Sequence, residues 1–160
     1  MRHVAGALIA VVLTALPAAA VDLGRAEGTL AIDGTKIPLN YAYAVAKQKN
    51  QLTARNEMTR IILTDKPLPD GVRLVDLDDS LPGDLNGVII AVDKQGRVGH
   101  VAIQHPAGTY DGGYFEGIPD YEFKSRKGDS GTFGGTVSSL RVKTNTMTFS
   151  YDASFLAALR

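Results

Sequence analysis

From Gly28 onward, large apolar residues alternate with polar or small ones at a period of two, the pattern of strands that bury one face. Leu30 and Ile32 point one way ahead of Asp33-Gly34, a dipeptide suited to a two-residue hairpin turn. The strand that follows from Lys36 sets Ile37, Leu39, Tyr41, Tyr43 and Val45 against Pro38, Asn40, Ala42, Ala44 and Ala46, so one face carries large side chains and the other mostly small ones. Pro38 has no N–H to give a ladder, which places it near a strand start or on an edge. Lys47 to Glu57 is polar and reads as a loop, and Met58 to Thr64 reads as a buried strand through Ile61-Ile62-Leu63. The segment from Asp65 to Gly71 is dense in turn residues; Val72, Leu74 and Leu77 then read as a short strand before an acidic stretch closed by Asn86-Gly87.

The clearest hairpin joins Val88 to Val92 with Arg97 to Gln104 through Asp93-Lys94-Gln95-Gly96, and Pro106 ends it. Ala107 to Asp120 is glycine-rich and reads as a loop. Tyr121 and Phe123 open another strand, Gly128 to Gly131 turns the chain into Thr132 to Val142, and Thr144-Asn145 turns it into Thr146 to Tyr151. Asp152 is suited to cap a final short helix from Ala153 to Leu159, with Phe155, Leu156 and Leu159 as its apolar stripe. The pattern predicts a mainly β fold: a single antiparallel β-sandwich or barrel of about seven to nine strands with a short C-terminal helix.

The first residues do not belong to that pattern. Arg2 and His3 precede an apolar run from Val4 to Leu16 broken only by Thr14, Pro17 ends the run, and Ala18 and Ala20 stand in the small-x-small arrangement a signal peptidase accepts. Residues 1–20 are therefore expected to be a cleavable signal peptide, 21–27 a mobile leader and 28–160 the β-domain. The alternative, an uncleaved anchor, has an apolar stretch at the short end of what spans a bilayer. The expected location is the periplasm or the medium, with no membrane span after cleavage. A chain with no Cys has no disulfide framework, thiolate metal site or cysteine nucleophile, so an exported domain of this kind holds together by packing and strand pairing alone. With 17 basic against 17 acidic residues in the whole chain, it also lacks the positive excess of a dedicated nucleic-acid binder.

Several residue groups invite chemistry. Tyr110, Tyr114, Phe115 and Tyr121 are interleaved with glycines and Asp111, a composition that presents aromatic faces beside a carboxylate and suits recognition of a sugar or peptide by a loop. Loop aromatics also fold back over the open end of a β-domain. Gly128-Asp129-Ser130-Gly131 matches the nucleophile segment of chymotrypsin-like serine proteases, but Thr132-Phe133 follows where that family has Gly-Pro, and the string is also an ordinary β-turn. His100 and His105 are five apart, so on one strand they face opposite ways and cannot share a metal unless the strand ends between them, an ending that Pro106 allows for His105. Asp76, Asp78, Asp79 and Asp84 suggest calcium, yet an EF-hand counted from Asp76 would have Leu81 and Gly87 where Gly and a bidentate acid are required. Lys124, Arg126 and Lys127, with Arg141 and Lys143, read as solvated edge charges. No cofactor, no metal set and no catalytic set follows from these spacings.

Gly28-Thr29-Leu30 with Asp33-Gly34, Leu39 to Ala46, Leu63 to Pro69 and Phe149 to Leu159 together resemble small exported bacterial β-proteins of uncharacterised function. The resemblance implies a β-sandwich and no reaction. The expected function is non-enzymatic binding of a small ligand, a glycan or an envelope protein through loops, with Tyr110, Asp111, Tyr114, Phe115 and Tyr121 as the binding surface. Two alternatives stand beside it. One is a small hydrolase using His100 or His105 with Asp111 or Asp129; the other is a structural subunit of an envelope assembly.

Overall fold

The structure is a computed structural model that describes residues 21–49, 57–77, 79–112, 120–126 and 128–160. The expected signal peptide, Tyr114 and Phe115 lie outside the described residues. The chain is mainly β, its strands forming one curled antiparallel sheet, a half-barrel. In chain order they are β1 Arg25–Ile32, β2 Thr35–Lys49, β3 Glu57–Thr64, β4 Gly87–Asp93, β5 Val98–His105, β6 Gly108–Asp111, β7 Tyr121–Arg126, β8 Thr132–Ser139, β9 Val142–Lys143 and β10 Thr148–Ala158. The hydrogen-bonded path runs β6-β5-β4-β3-β2-β1-β10-β8-β7, and β9 pairs with the start of β10.

Alternation decides what each face does. Leu30 and Ile32 of β1, Ile61 and Leu63 of β3, Val88, Ile90 and Val92 of β4, Val101 and Ile103 of β5, and Phe149, Tyr151 and Phe155 of β10 all bury on the concave side, in one apolar core. Phe123 of β7, Phe133 of β8 and Phe155 form a three-ring cluster there, with centroids 5.5–6.3 Å apart. The Asp33-Gly34 turn forms as expected, with positive φ at both residues (49° and 89°) and Ile32 paired with Thr35. The Gly128 to Gly131 string turns the chain as expected, the β-turn itself spanning Asp129 to Thr132: the Thr132 N–H donates to the Asp129 carbonyl at 3.0 Å, with Gly131 at φ 82°.

Several sequence expectations are corrected. The C-terminal helix does not form; Phe149 to Ala157 buries every second residue, and β10 is gripped by β1 on one side and β8 on the other. Two ladders of backbone hydrogen bonds outweigh the helix preference of the Ala and Leu residues, and Asp152 faces outward between Thr29 and Ser138 instead of capping a helix. The polar stretch after Ala46 continues β2 as far as Lys49, because β3 from Glu57 supplies a partner. Val72 to Leu77 is no strand. It contains a single 3-10 turn, Leu74–Asp76, and its leucines pack on the convex side of the sheet. The glycine-rich loop gives up Gly108–Asp111 to β6. β1 starts at Arg25, within the segment expected as a leader, and Val21 is buried.

The β4–β5 turn carries a pH signature. Asp93 Oδ1 accepts the N–H groups of Gln95 (2.9 Å) and Arg97 (2.8 Å), and Oδ2 accepts Arg97 Nε at 2.7 Å. Burial pushes its carboxyl up, but these donors outweigh it and hold the group below its ordinary value of 3.8. A lowered folded pKa means stability that is present above that ordinary value and lost as pH falls through the folded one. Asp93→Asn is expected to cost about 1–2 kcal/mol in urea unfolding at pH 7 and much less at pH 3. An equal cost at both pH values would show that the charge is not responsible.

Candidate functional site

The strand register writes out the convex face as rows of neighbours. Val45, Arg60, Ala91 and His100 form one row, and Tyr43, Ile62, Ile89, Ala102 and Asp111 form the next. The chain from residue 65 to 86 lies over these rows. Its ends are clipped together where Asp65 accepts both the backbone N–H of Asn86 (2.9 Å) and its side-chain Nδ2 (2.7 Å). Leu74, Leu77, Leu81 and Leu85 pack onto Val45, Ile62, Ile89 and Ala102 in a second apolar cluster. Polar side chains of the sheet hold its backbone: Arg60 donates to the Leu77 carbonyl, and Gln104 both donates to the Leu81 carbonyl (2.9 Å) and accepts the Leu81 N–H (2.7 Å). A stretch with almost no regular structure is thereby fixed against the sheet, with backbone groups of Leu77 and Leu81 answered by sheet side chains.

His100 reaches this face by ordinary alternation with Ala102 and Gln104, just past an irregularity in β5. Ala91 pairs with His100 but Val92 pairs with Val98, so β5 holds one extra residue there; Val98 and Val101 both face the core while His100 is turned outward. The two-residue turn after His105 pairs Ala102 with Asp111, which makes Asp111 the diagonal neighbour of His100 on the same face. The covering segment brings Asp79 from above. His100 Nε2 lies 2.9 Å from Asp111 Oδ1 and 3.4 Å from Asp79 Oδ1. The imidazole is fully buried (0 % exposed), whereas the Asp79 and Asp111 side chains are 38 % and 57 % exposed. The ligand atoms of all three residues lie within 4.8 Å of one another. Because a carboxylate can only accept, the Nε2 hydrogen lies toward Asp111.

The other sequence candidates go elsewhere. Tyr110 and Tyr121 face the concave core: Tyr110 packs on Phe149 with centroids 4.9 Å apart, Tyr121 stacks on Tyr151 at 6.2 Å, and the Tyr121 hydroxyl donates to that of Tyr110 at 3.4 Å. Burial pushes the Tyr121 and Tyr151 hydroxyls well above the ordinary tyrosine value, so both stay protonated. Asp111 alone of the described group reaches the convex site. The acidic run separates, with Asp76 beside Arg73 (3.6 Å), Asp84 on Lys66 (2.7 Å) and Asp79 on His100; Asp78 lies outside the described residues. His105 accepts the Ala107 N–H on Nδ1 at 3.0 Å. Lys124 pairs with Glu122 on β7 at 3.1 Å.

The signal that would have found this site is the two-residue Pro106-Ala107 turn. Once His105 is paired with Gly108, counting back along both strands places Asp111 diagonally across from His100. No protein-family model, curated protein or solved structure matches this chain.

Proposed function

We propose that this chain is an exported, non-enzymatic β-domain that binds a cationic ligand, or a cationic group of an envelope partner, at the β5–β6 edge of its sheet. The observation that carries the reading is the convergence of two exposed carboxylates, Asp79 and Asp111, on one buried imidazole. Two carboxylates turned to solvent on one side attract positive charge, and three separate chain segments hold them and the imidazole in place. Export rests on the apolar run from Val4 to Leu16 and the Ala18/Ala20 site. The sheet serves as an open barrel rather than two facing sheets, a reading supported by the unbroken path from β6 to β7 and by the contact between Tyr110 and Tyr121 across its ends.

Amide chemical shifts of the labelled chain, followed during titration with divalent cations, spermidine, a neutral oligosaccharide and inorganic phosphate, test this. Cationic probes are expected to move residues 79–81, 100–104 and 109–112. Shifts confined to the β7–β8 edge, or no preference for cations over the sugar and phosphate, would overturn it.

A small hydrolase is the second reading, favoured by the 2.9 Å contact between His100 and Asp111. Full burial of the ring argues against it, since a general base must reach a substrate proton. Ester hydrolysis abolished by His100→Ala would restore it. An envelope subunit would need an exposed apolar patch or a long free edge. Among the described residues, the exposed large apolar side chains Leu23, Val75, Leu140 and Leu159 are spread over four segments, and the end strands β6 and β7 are short.

A further inference from the structure

We infer that Asp79, His100 and Asp111 form a binding site for a divalent first-row transition-metal cation of the zinc class. This rests on the reading of the β5–β6 edge as a cation-binding surface and names its ligand. The first ground is the donor set. One imidazole nitrogen with two carboxylate oxygens suits zinc and its neighbours, whereas calcium and magnesium take oxygen donors almost alone.

The second ground is geometry. Bonds of about 2.1 Å in a tetrahedral arrangement set neighbouring donor atoms about 3.4 Å apart. His100 Nε2 and Asp79 Oδ1 already stand at 3.4 Å, and Nε2 and Asp111 Oδ1 at 2.9 Å, a hydrogen-bond distance. An ion entering between them has to open the second spacing by about 0.5 Å, within a side-chain rotation of the exposed Asp111. Coordination uses the Nε2 lone pair, so the ring takes the tautomer with its hydrogen on Nδ1 as the metal bond forms.

The third ground is preorganisation. Burial of the ring on β5 under the covering segment fixes it, β6 fixes Asp111, and Arg60 and Gln104 hold the segment that delivers Asp79. With the ring enclosed and both carboxylates open to water, the ion keeps at least one outward position for water or for a donor from a partner. The site is thus open in the sense that catalytic and bridging sites are, rather than closed like a structural one.

Isothermal titration of the full chain with zinc chloride, after chelator treatment, tests the inference, with calcium and magnesium chloride run alongside. One zinc per chain is expected, bound at least about tenfold more tightly than calcium. Asp79→Asn and Asp111→Asn should each weaken it by about tenfold or more, His100→Gln should abolish it, and His105→Gln should leave it unchanged. If His100→Gln fails to fold, the exposed Asp111→Asn carries the test. Zinc binding that survives Asp111→Asn, that is lost in His105→Gln, or that is no tighter than calcium would overturn the inference. If zinc fails to bind while spermidine still shifts the β5–β6 amides, the metal inference falls and the cation-binding reading stands; if neither binds there, both fall.

Discussion

Phe155→Ala is expected to lower the unfolding free energy by about 3–5 kcal/mol. Phe155 is 2 % exposed, touches the rings of Phe123 and Phe133, and sits opposite Ala26 on one side and Gly135 on the other. Its neighbours across both ladders are too small to collapse into the space it would leave, so the cavity persists. The neighbouring Leu156→Ala supplies the contrast. On a strand Leu156 faces outward and its loss should cost far less; on a helix with a Phe155, Leu156 and Leu159 stripe the two costs would be alike. Urea unfolding of both variants measures the difference, and similar losses would contradict the strand.

Gly28→Ala should be nearly as damaging, at or above the upper end of the usual 1–3 kcal/mol for overpacking. Gly28 lies in β1 between Leu39 and Ala153, and a Cβ built there collides with the Ala153 side chain and the Asp152 carbonyl. Backbone φ is not the obstacle at this position; the closeness of β10 is. Relief requires β1 and β10 to separate at the junction where the C-terminal strand joins the N-terminal hairpin. The expected readout is a fall in thermal midpoint together with faster amide exchange along β1 and β10. Unchanged exchange there would mean that the two strands are not so close.

These two residues also show how far the sequence carries the fold. Period-two alternation in Gly28 to Ile32, the apolar run Ile61-Ile62-Leu63, and the hairpin turns at Asp33-Gly34 and Asp93 to Gly96 identify strands because their signals are local. Phe149 to Ala157 alternates as well, yet Ala and Leu in Ala153 to Leu159 also fit a helical stripe. Only the arrival of β1 and β8 on either side decides between them. The covering segment is illegible for a related reason. Leu74, Leu77, Leu81 and Leu85 fall three, four and four residues apart, a helical spacing, yet Pro82-Gly83 interrupts it and only a single 3-10 turn forms, so they make sense only against the convex face that receives them.

The candidate site was legible in its parts but not in its assembly. His100 with Asp111 is one of the pairs a hydrolase would use, and Asp79 belongs to the acidic run. Their meeting depends on a tight turn at Pro106-Ala107 and on a long connection folding back over the sheet. The turn leaves a spacing that can be counted once the pairing is known, and the connection leaves none. The aromatic group misleads for the opposite reason: alternation in β6 sends Tyr110 inward and Asp111 outward, so residues adjacent in sequence end on different faces.

Anomalous diffraction at the zinc absorption edge, from crystals of the protein grown with zinc, tests the proposed centre most directly. A single strong peak is expected about 2.0–2.2 Å from His100 Nε2 and from a carboxylate oxygen of both Asp79 and Asp111. A peak at His105, peaks only on scattered surface carboxylates, or no peak at all would contradict it.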